Sequence, residues 1–203
     1  MLVRIAEKYG LWIVEDDVHA FLLPEPPAPI ATYAPDRTVY LSSIAKCLVP
    51  GLRTGFLAAP SILRPRLLTG IHTSMWMAPP LMVEVTTRWL GDGTADRLIA
   101  AKRREMEGRQ RLARAILGGH SPRGHPLGYQ LWLELPEPWC TDAFVAEARE
   151  RGIKVMGASA FALNRGRVPH AVRLSLGQPS RSELDRALRT LAGLLTGLNA
   201  ATY

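Results

Sequence analysis

Apolar and polar positions along this 203-residue chain fall into two periods. Residues 11–14 (Leu-Trp-Ile-Val) form a continuous apolar run, as do Val39-Tyr40-Leu41 and Gly55-Phe56-Leu57-Ala58. Runs this short, bounded by turn residues, predict buried strands. The first has no polar face, which predicts a strand covered on both sides, as in a parallel sheet. Helical spacing marks residues 4–9, ended by Gly10, then 61–68, 79–90 and a longer stretch over 95–117. Between them, Pro24, Pro26, Pro27, Pro29 and Pro35 make residues 17–36 a loop, because proline continues neither helix nor sheet. Residues 118–126, rich in Gly, Pro and His, mark a boundary. Beyond it the pattern predicts strands at 129–135, 153–156 and 171–176, with a helix over 141–151 stopped by Gly152. A final helix opens on a capping box of Ser180 and Glu183. The alternation predicts an α/β protein divided as residues 1–93, a linking helix at 94–118 and a small α/β C-terminal domain at 119–203. A parallel strand at 11–14 needs neighbours and crossovers that residues 1–10 do not supply. The reading therefore expects Met1 to be an internal position of a longer protein.

Composition changes this picture little. With 47% hydrophobic residues, the chain has enough apolar side chain for a sizeable core. No stretch approaches the roughly 18 apolar residues of a membrane span, and no signal-peptide pattern opens the chain. Cys47 and Cys140 are too few for a disulfide framework, so the expected compartment is a reducing cytoplasm. A net charge of +7 raises the question of nucleic acid. The densest basic cluster is Lys102, Arg103, Arg104, Arg109, Arg111 and Arg114, interleaved with Leu98, Met106, Leu112 and Ile116. That spacing reads as an amphipathic helix with a solvated charged face, and no DNA-binding motif accompanies it. His120 and His125 lack the spacing of metal ligands, so no metal site is expected. Trp76, Trp89, Trp132 and Trp139 read as core or interface anchors.

The chemistry concentrates in residues 38–60. Ser43, Lys46 and Arg53 lie along one turn between two strand-like runs, and Pro50-Gly51 breaks the chain between them. Lys46 thus falls just beyond a strand's carboxyl end, where open α/β sheets bind ligands. An amine beside a phosphate-sized anion site suits a lysine that forms a Schiff base with a phosphorylated aldehyde cofactor. Arg offers phosphate a bidentate fork, and Ser adds a hydroxyl.

Ser43-Ile44-Ala45-Lys46 followed by Pro50-Gly51-Leu52-Arg53-Thr54-Gly55 resembles the S-x-S-K-x-x-x-P-G-x-R-x-G motif of class I/II aminotransferases, fold-type-I pyridoxal phosphate proteins. Residues 76–82 and 88–102 are similar to the aminotransferase-like domain of MocR-type regulators, a branch of the GntR family. Ala45 departs from the motif, which usually has a second Ser there. The resemblance implies that residues 1–93 are the carboxyl-terminal half of a fold-type-I large domain with a mostly parallel sheet. It implies pyridoxal phosphate as cofactor, with Lys46 as the Schiff-base lysine and Ser43 and Arg53 at the phosphate. Asp16, ending the 11–14 run, would sit at the pyridine nitrogen. His19 stands where family members usually have a Tyr at the cofactor's phenolic oxygen. Arg173, a charge inside the apolar run Ala171-Val172-Arg173-Leu174, needs a partner or ligand. The resemblance gives it the substrate's α-carboxylate.

Two functions share these residues. One is amino-group transfer between an amino acid and a 2-oxo acid, in a homodimer. The other is sensing of pyridoxal phosphate and an amino acid by a MocR-type regulator that touches DNA only through a domain upstream of this chain. As an isolated piece, the chain is expected to bind cofactor weakly or not at all. Ser43-x-x-Lys46 also matches the nucleophile motif of penicillin-recognising serine enzymes. Their S-D-N and K-T-G elements are missing here, and Pro50-Gly51 opposes the long helix that motif opens.

Overall fold

A computed structural model describes residues 1–163 and 168–197. Residues 164–167 and 198–203, which fall in the expected C-terminal domain, lie outside the described residues. The chain separates into two compact units, Met1–Lys102 and Arg103–Tyr203. The division falls inside the long helix rather than at either of its ends.

In the first unit, α1 (Leu2–Lys8) leads to β1 (Ile13–Asp16), and β2 (Thr38–Ser43) and β3 (Gly55–Ala58) complete a three-stranded sheet in the order β1-β2-β3. β1 and β2 are parallel, whereas β2 and β3 are antiparallel. β1 starts later than the apolar run predicts. The Leu11 N–H still donates to Ala6 O, so residues 11 and 12 belong to the exit of α1, and Ile13 is the first to reach the neighbouring chain, at Arg37 O. Nor is β1 covered on both faces. Its residues alternate between half-buried and exposed, and Val14 keeps 66% of its surface.

The proline-rich stretch is not all loop. It holds a 3-10 turn at Ala20–Leu22 and a short α2 (Ile30–Tyr33). After β3, a 3-10 turn at Ser61–Leu63 enters α3 (Arg64–Met75), and α4 (Pro80–Gly91) follows. α3 runs past residue 68, where the apolar spacing fades. Its polar last turns close on themselves through hydroxyl bonds from Thr73 to Thr69 O (2.9 Å) and from Ser74 to Gly70 O (2.7 Å).

α5 (Thr94–Leu117) carries the basic cluster, with i,i+4 pairs Glu105–Arg109 and Glu107–Arg111. In the second unit β4 (Gln130–Glu134), β5 (Met156–Gly157) and β6 (Ala171–Ser175) form an antiparallel sheet in the order β4-β6-β5, with α6 (Thr141–Glu150) and α7 (Arg181–Leu195). The strand expected over 153–156 pairs only at its end. The Ile153 N–H is taken by Ala148 O at the close of α6, which holds the segment away from β6 until Met156. α7 opens on the expected capping box, with Ser180 accepting the Glu183 N–H and Glu183 accepting the Ser180 N–H. Its stripe of Leu184, Leu188, Leu191 and Leu195 is buried against Leu131, Phe144 and Val172. One basic residue departs from the solvated-face reading. Arg109 is only 11% exposed and donates to the carbonyls of Leu176 (2.7 Å) and Pro179 (2.6 Å).

Candidate functional site

The parallel register sets Ile13 beside Thr38 and Asp16 beside Leu41, so the carboxyl ends of β1 and β2 open at one edge of the sheet. From β1 the chain continues through Asp16, Asp17 and His19; from β2 it continues through Ser43 to Lys46. Ligands of open α/β sheets bind outside such ends.

Lys46 sits in the turn of residues 44–47. Ile44, Cys47 and Leu48 are buried beneath that turn, while Lys46 is exposed. The apolar neighbours hold the turn down and leave Lys46 exposed above them. A 3-10 turn at Pro50–Leu52 then leads to Arg53, an exposed residue in the left-handed region (φ 48, ψ 28). The return strand sets Gly55 opposite Ser43. A Cβ at Gly55 would lie 3.3 Å from Ser42 O, a tight approach that favours glycine. Ser43 locks the connection: its hydroxyl donates to Thr54 O and accepts the Ala45 N–H, both at 3.1 Å. That proton is engaged within the turn, so a phosphate contact from Ser43 requires the hydroxyl to rotate.

The acidic trio divides its work. Glu15 accepts the Ile30 and Ala31 N–H groups (2.8 and 3.0 Å) and so caps α2. Asp17 accepts the Tyr40 hydroxyl at 2.9 Å. Asp16 is exposed and receives only a long 3.4 Å approach from the Val18 N–H among the hydrogen bonds resolved here. Of the three acids, it is the one left exposed. His19 is exposed and starts the Ala20–Leu22 turn, with its carbonyl accepting the Leu22 N–H. The roles of Glu15 and Tyr40 escape sequence reasoning. Tyr40 shows only as an aromatic inside a strand run, and the Glu15 bond spans the proline-rich stretch.

Arg173 belongs to the second unit, on β6 between Trp132 of β4 and Met156 of β5. Its guanidinium lies 4.9 Å from the Phe161 ring centroid, and that ring meets Trp132 edge-on at 6.1 Å. The Arg173 Nε is buried without a hydrogen-bond partner among the described residues. An uncompensated buried donor of this kind suits an incoming anion. A cavity of about 920 Å³ opens here, lined by Arg173, Lys154, Ser175, Arg186 and Leu191 among others. Among the described residues, no group of His, Cys, Asp or Glu could hold a metal ion, and no helix is long and apolar enough to cross a membrane.

Ser43 thus ends β2, Lys46 and Arg53 follow on its connection to β3, and Asp16 ends the adjacent parallel strand. Residues 1–191 match the family model for aminotransferase class I and II. The chain belongs to this family. Over 98% of its length it is 28% identical to the HTH-type transcriptional regulator YdeF of Bacillus subtilis (strain 168), of which it covers 43%. It is 26% identical, again over 98% of its length, to the 2-aminoadipate transaminase of Thermus thermophilus, covering 52% of that protein. Its fold matches the crystal structure of LysN, the α-aminoadipate aminotransferase of Thermus thermophilus complexed with N-(5'-phosphopyridoxyl)-L-leucine. The TM-score is 0.85 at 24% identity, over 99% of this chain and 54% of that one. The chain therefore spans about half the length of these relatives.

Proposed function

We propose that this chain is the pyridoxal-phosphate-binding part of a class I/II aminotransferase, and that the whole protein moves an amino group between an amino acid and a 2-oxo acid. The observation that carries the reading is the common edge at which β1 delivers Asp16 and β2 delivers Ser43, Lys46 and Arg53. The donor set fits the cofactor: an amine for its aldehyde, a guanidinium for its phosphate and a carboxylate for its ring nitrogen. When bound, the cofactor's protonated ring draws electron density from the substrate's α-carbon. Lys46 would be the amine that meets the aldehyde at rest and, once released by the substrate's amine, the base that moves the proton at that carbon. Asp16 keeps the ring nitrogen protonated, and His19 donates to the phenolic oxygen. Arg53, with Ser43 after rotation of its hydroxyl, binds the phosphate. Arg173 grips the substrate's α-carboxylate. The assembly we propose is a cytoplasmic homodimer.

A second reading is an amino-acid-sensing domain of a MocR-type regulator. What supports it is the 28% identity to an HTH-type regulator over nearly the whole chain. In that case DNA binding resides in a part of the protein outside this sequence.

Spectral titration with pyridoxal phosphate, followed by borohydride reduction and peptide mapping, tests the shared core. The expected result is weak uptake with the label on Lys46 and none in Lys46→Ala. Label on Lys8, Lys102 or Lys154 instead would overturn the site. Amino-acid turnover with 2-oxoglutarate by the longer protein favours the enzyme. Effector-dependent DNA binding without turnover favours the regulator.

A further inference from the structure

The two loops that carry the candidate site leave different strands, and one side-chain bond ties the first loop to the second strand. The Tyr40 hydroxyl, on β2, donates to Asp17 Oδ2 at 2.9 Å. Asp17 is fixed at two further points: its N–H donates to Leu41 O at 2.9 Å, and its carbonyl accepts the Ala20 N–H at 3.2 Å. Among the described residues, the neighbouring Asp16 side chain has only the 3.4 Å approach of the Val18 N–H. Of two adjacent acids, Asp17 is therefore committed to holding the start of the loop, and Asp16 stands exposed at the end of β1.

We propose that Tyr40 is a positioning residue. Through Asp17 it fastens the carboxyl end of β1, where Asp16 stands, and the loop bearing His19 to the strand that delivers Ser43 and Lys46, and so sets where the ring-nitrogen carboxylate and the imidazole stand for the cofactor. This rests on the pyridoxal phosphate reading above. Burial first, and the bond to Asp17 next, raise the Tyr40 pKa above its ordinary value, so the phenol remains a donor at neutral and mildly alkaline pH. A ring that merely filled space would act as well without its hydroxyl, and the test turns on that difference.

Amide exchange is measured in the full 203-residue chain for Tyr40→Phe, Asp17→Ala, Asp17→Asn and the double variant Tyr40→Phe/Asp17→Ala. The reporters are the Ala20, Leu22 and Leu23 N–H groups, all bonded within this loop. Exchange about tenfold faster is expected in Tyr40→Phe and in Asp17→Ala, with no further acceleration in the double variant. Asp17→Asn, whose side-chain carbonyl still accepts the phenol, is expected to stay near the parent. Amides of β4 and β6 serve as the folding control. Unchanged exchange in Tyr40→Phe, or additive effects in the double variant, would overturn the clamp.

A second arm titrates pyridoxal phosphate. Tyr40→Phe is expected to weaken its binding about five- to tenfold. Parent and variant binding equally well would overturn the link to the cofactor. A parent chain with no affinity for pyridoxal phosphate would defeat the proposed function instead, while the exchange experiment still decides the clamp.

Discussion

The Ser43 hydroxyl bridges the two sides of the Lys46 connection, donating to Thr54 O and accepting the Ala45 N–H, each at 3.1 Å. Thr54 immediately follows Arg53, so this single bond sets the start of the lysine turn against the end of the arginine turn. The turns that carry Lys46 and Arg53 then share a fixed frame set by this one side chain.

Ser43→Ala is expected to lower the stability of the first unit by about 1–2 kcal/mol, because Thr54 O and the Ala45 N–H both lose a partner. Ser43→Thr keeps the hydroxyl and should recover most of that loss. Urea unfolding followed by Ala45 amide exchange reads both; an unchanged Ala45 amide in Ser43→Ala would count against the bridging role.

Arg109→Met should destabilise the second unit by about 2–3 kcal/mol, since the carbonyls of Leu176 and Pro179 lose their common donor. The measurement is the urea midpoint at neutral pH. Arg109→Lys is expected to fall between the two, because an ammonium lacks the planar fork.

The same arginine governs an acid response. Its hydrogen bond, with Arg181 assisting, holds the Glu105 carboxyl below its ordinary value of 4.5. A depressed folded-state value means that the contribution is present above 4.5 and is lost as pH falls through the lower value. The parent's urea midpoint should therefore drop more steeply below about pH 4.5 than that of Arg109→Met. Parallel pH profiles would contradict the linkage.

Two glycines of the second unit should respond oppositely to alanine. At Gly108, inside α5, a Cβ meets only the guanidinium tip of Arg181, whose side chain is 61% exposed. Arg181 can swing away from its exposed partner Glu105, and the helix gains about 0.5–1 kcal/mol. At Gly124 the Cβ would lie 2.7 Å from the backbone oxygen of Gln130, which cannot move alone. Gly124→Ala is expected to cost about 1–3 kcal/mol. Thermal midpoints of the two variants should move in opposite directions.

Phe144→Ala removes a fully buried ring that meets Trp139 edge-on at 5.3 Å. A loss of about 3–5 kcal/mol is expected, read from denaturant unfolding. A smaller loss would mean that α6 collapses onto the cavity.

Much of this was legible in the residues. The strand-turn-strand around Lys46 is announced by two apolar runs and the Pro-Gly break, and the α7 start by its Ser180/Glu183 pair. Errors arise where a hydrogen-bond partner outside the apolar pattern decides, near or far along the chain. Leu11 and Trp12 are as apolar as Ile13, yet the Ala6 carbonyl keeps them in the exit of α1. Residues 153–155 alternate like a strand, but the bond from Ile153 to Ala148 keeps them off β6. The burial of Arg109 was invisible because its acceptors, Leu176 and Pro179, lie far along the chain. The Tyr40–Asp17 and Glu15–α2 bonds were hidden for the same reason, being side-chain links between segments that only the folded sheet makes neighbours.

Arg53 occupies backbone space that suits glycine, at φ 48 and ψ 28. Side chains there carry strain of about 1 kcal/mol, which glycine would relieve at the expense of a floppier unfolded chain. Under the proposed role of Arg53 at the cofactor phosphate, residue 53 sets thermal robustness against anion capture. A selection for heat resistance alone would drift toward an uncharged, achiral residue there, and a selection that demands cofactor retention would hold the guanidinium and its contorted backbone together.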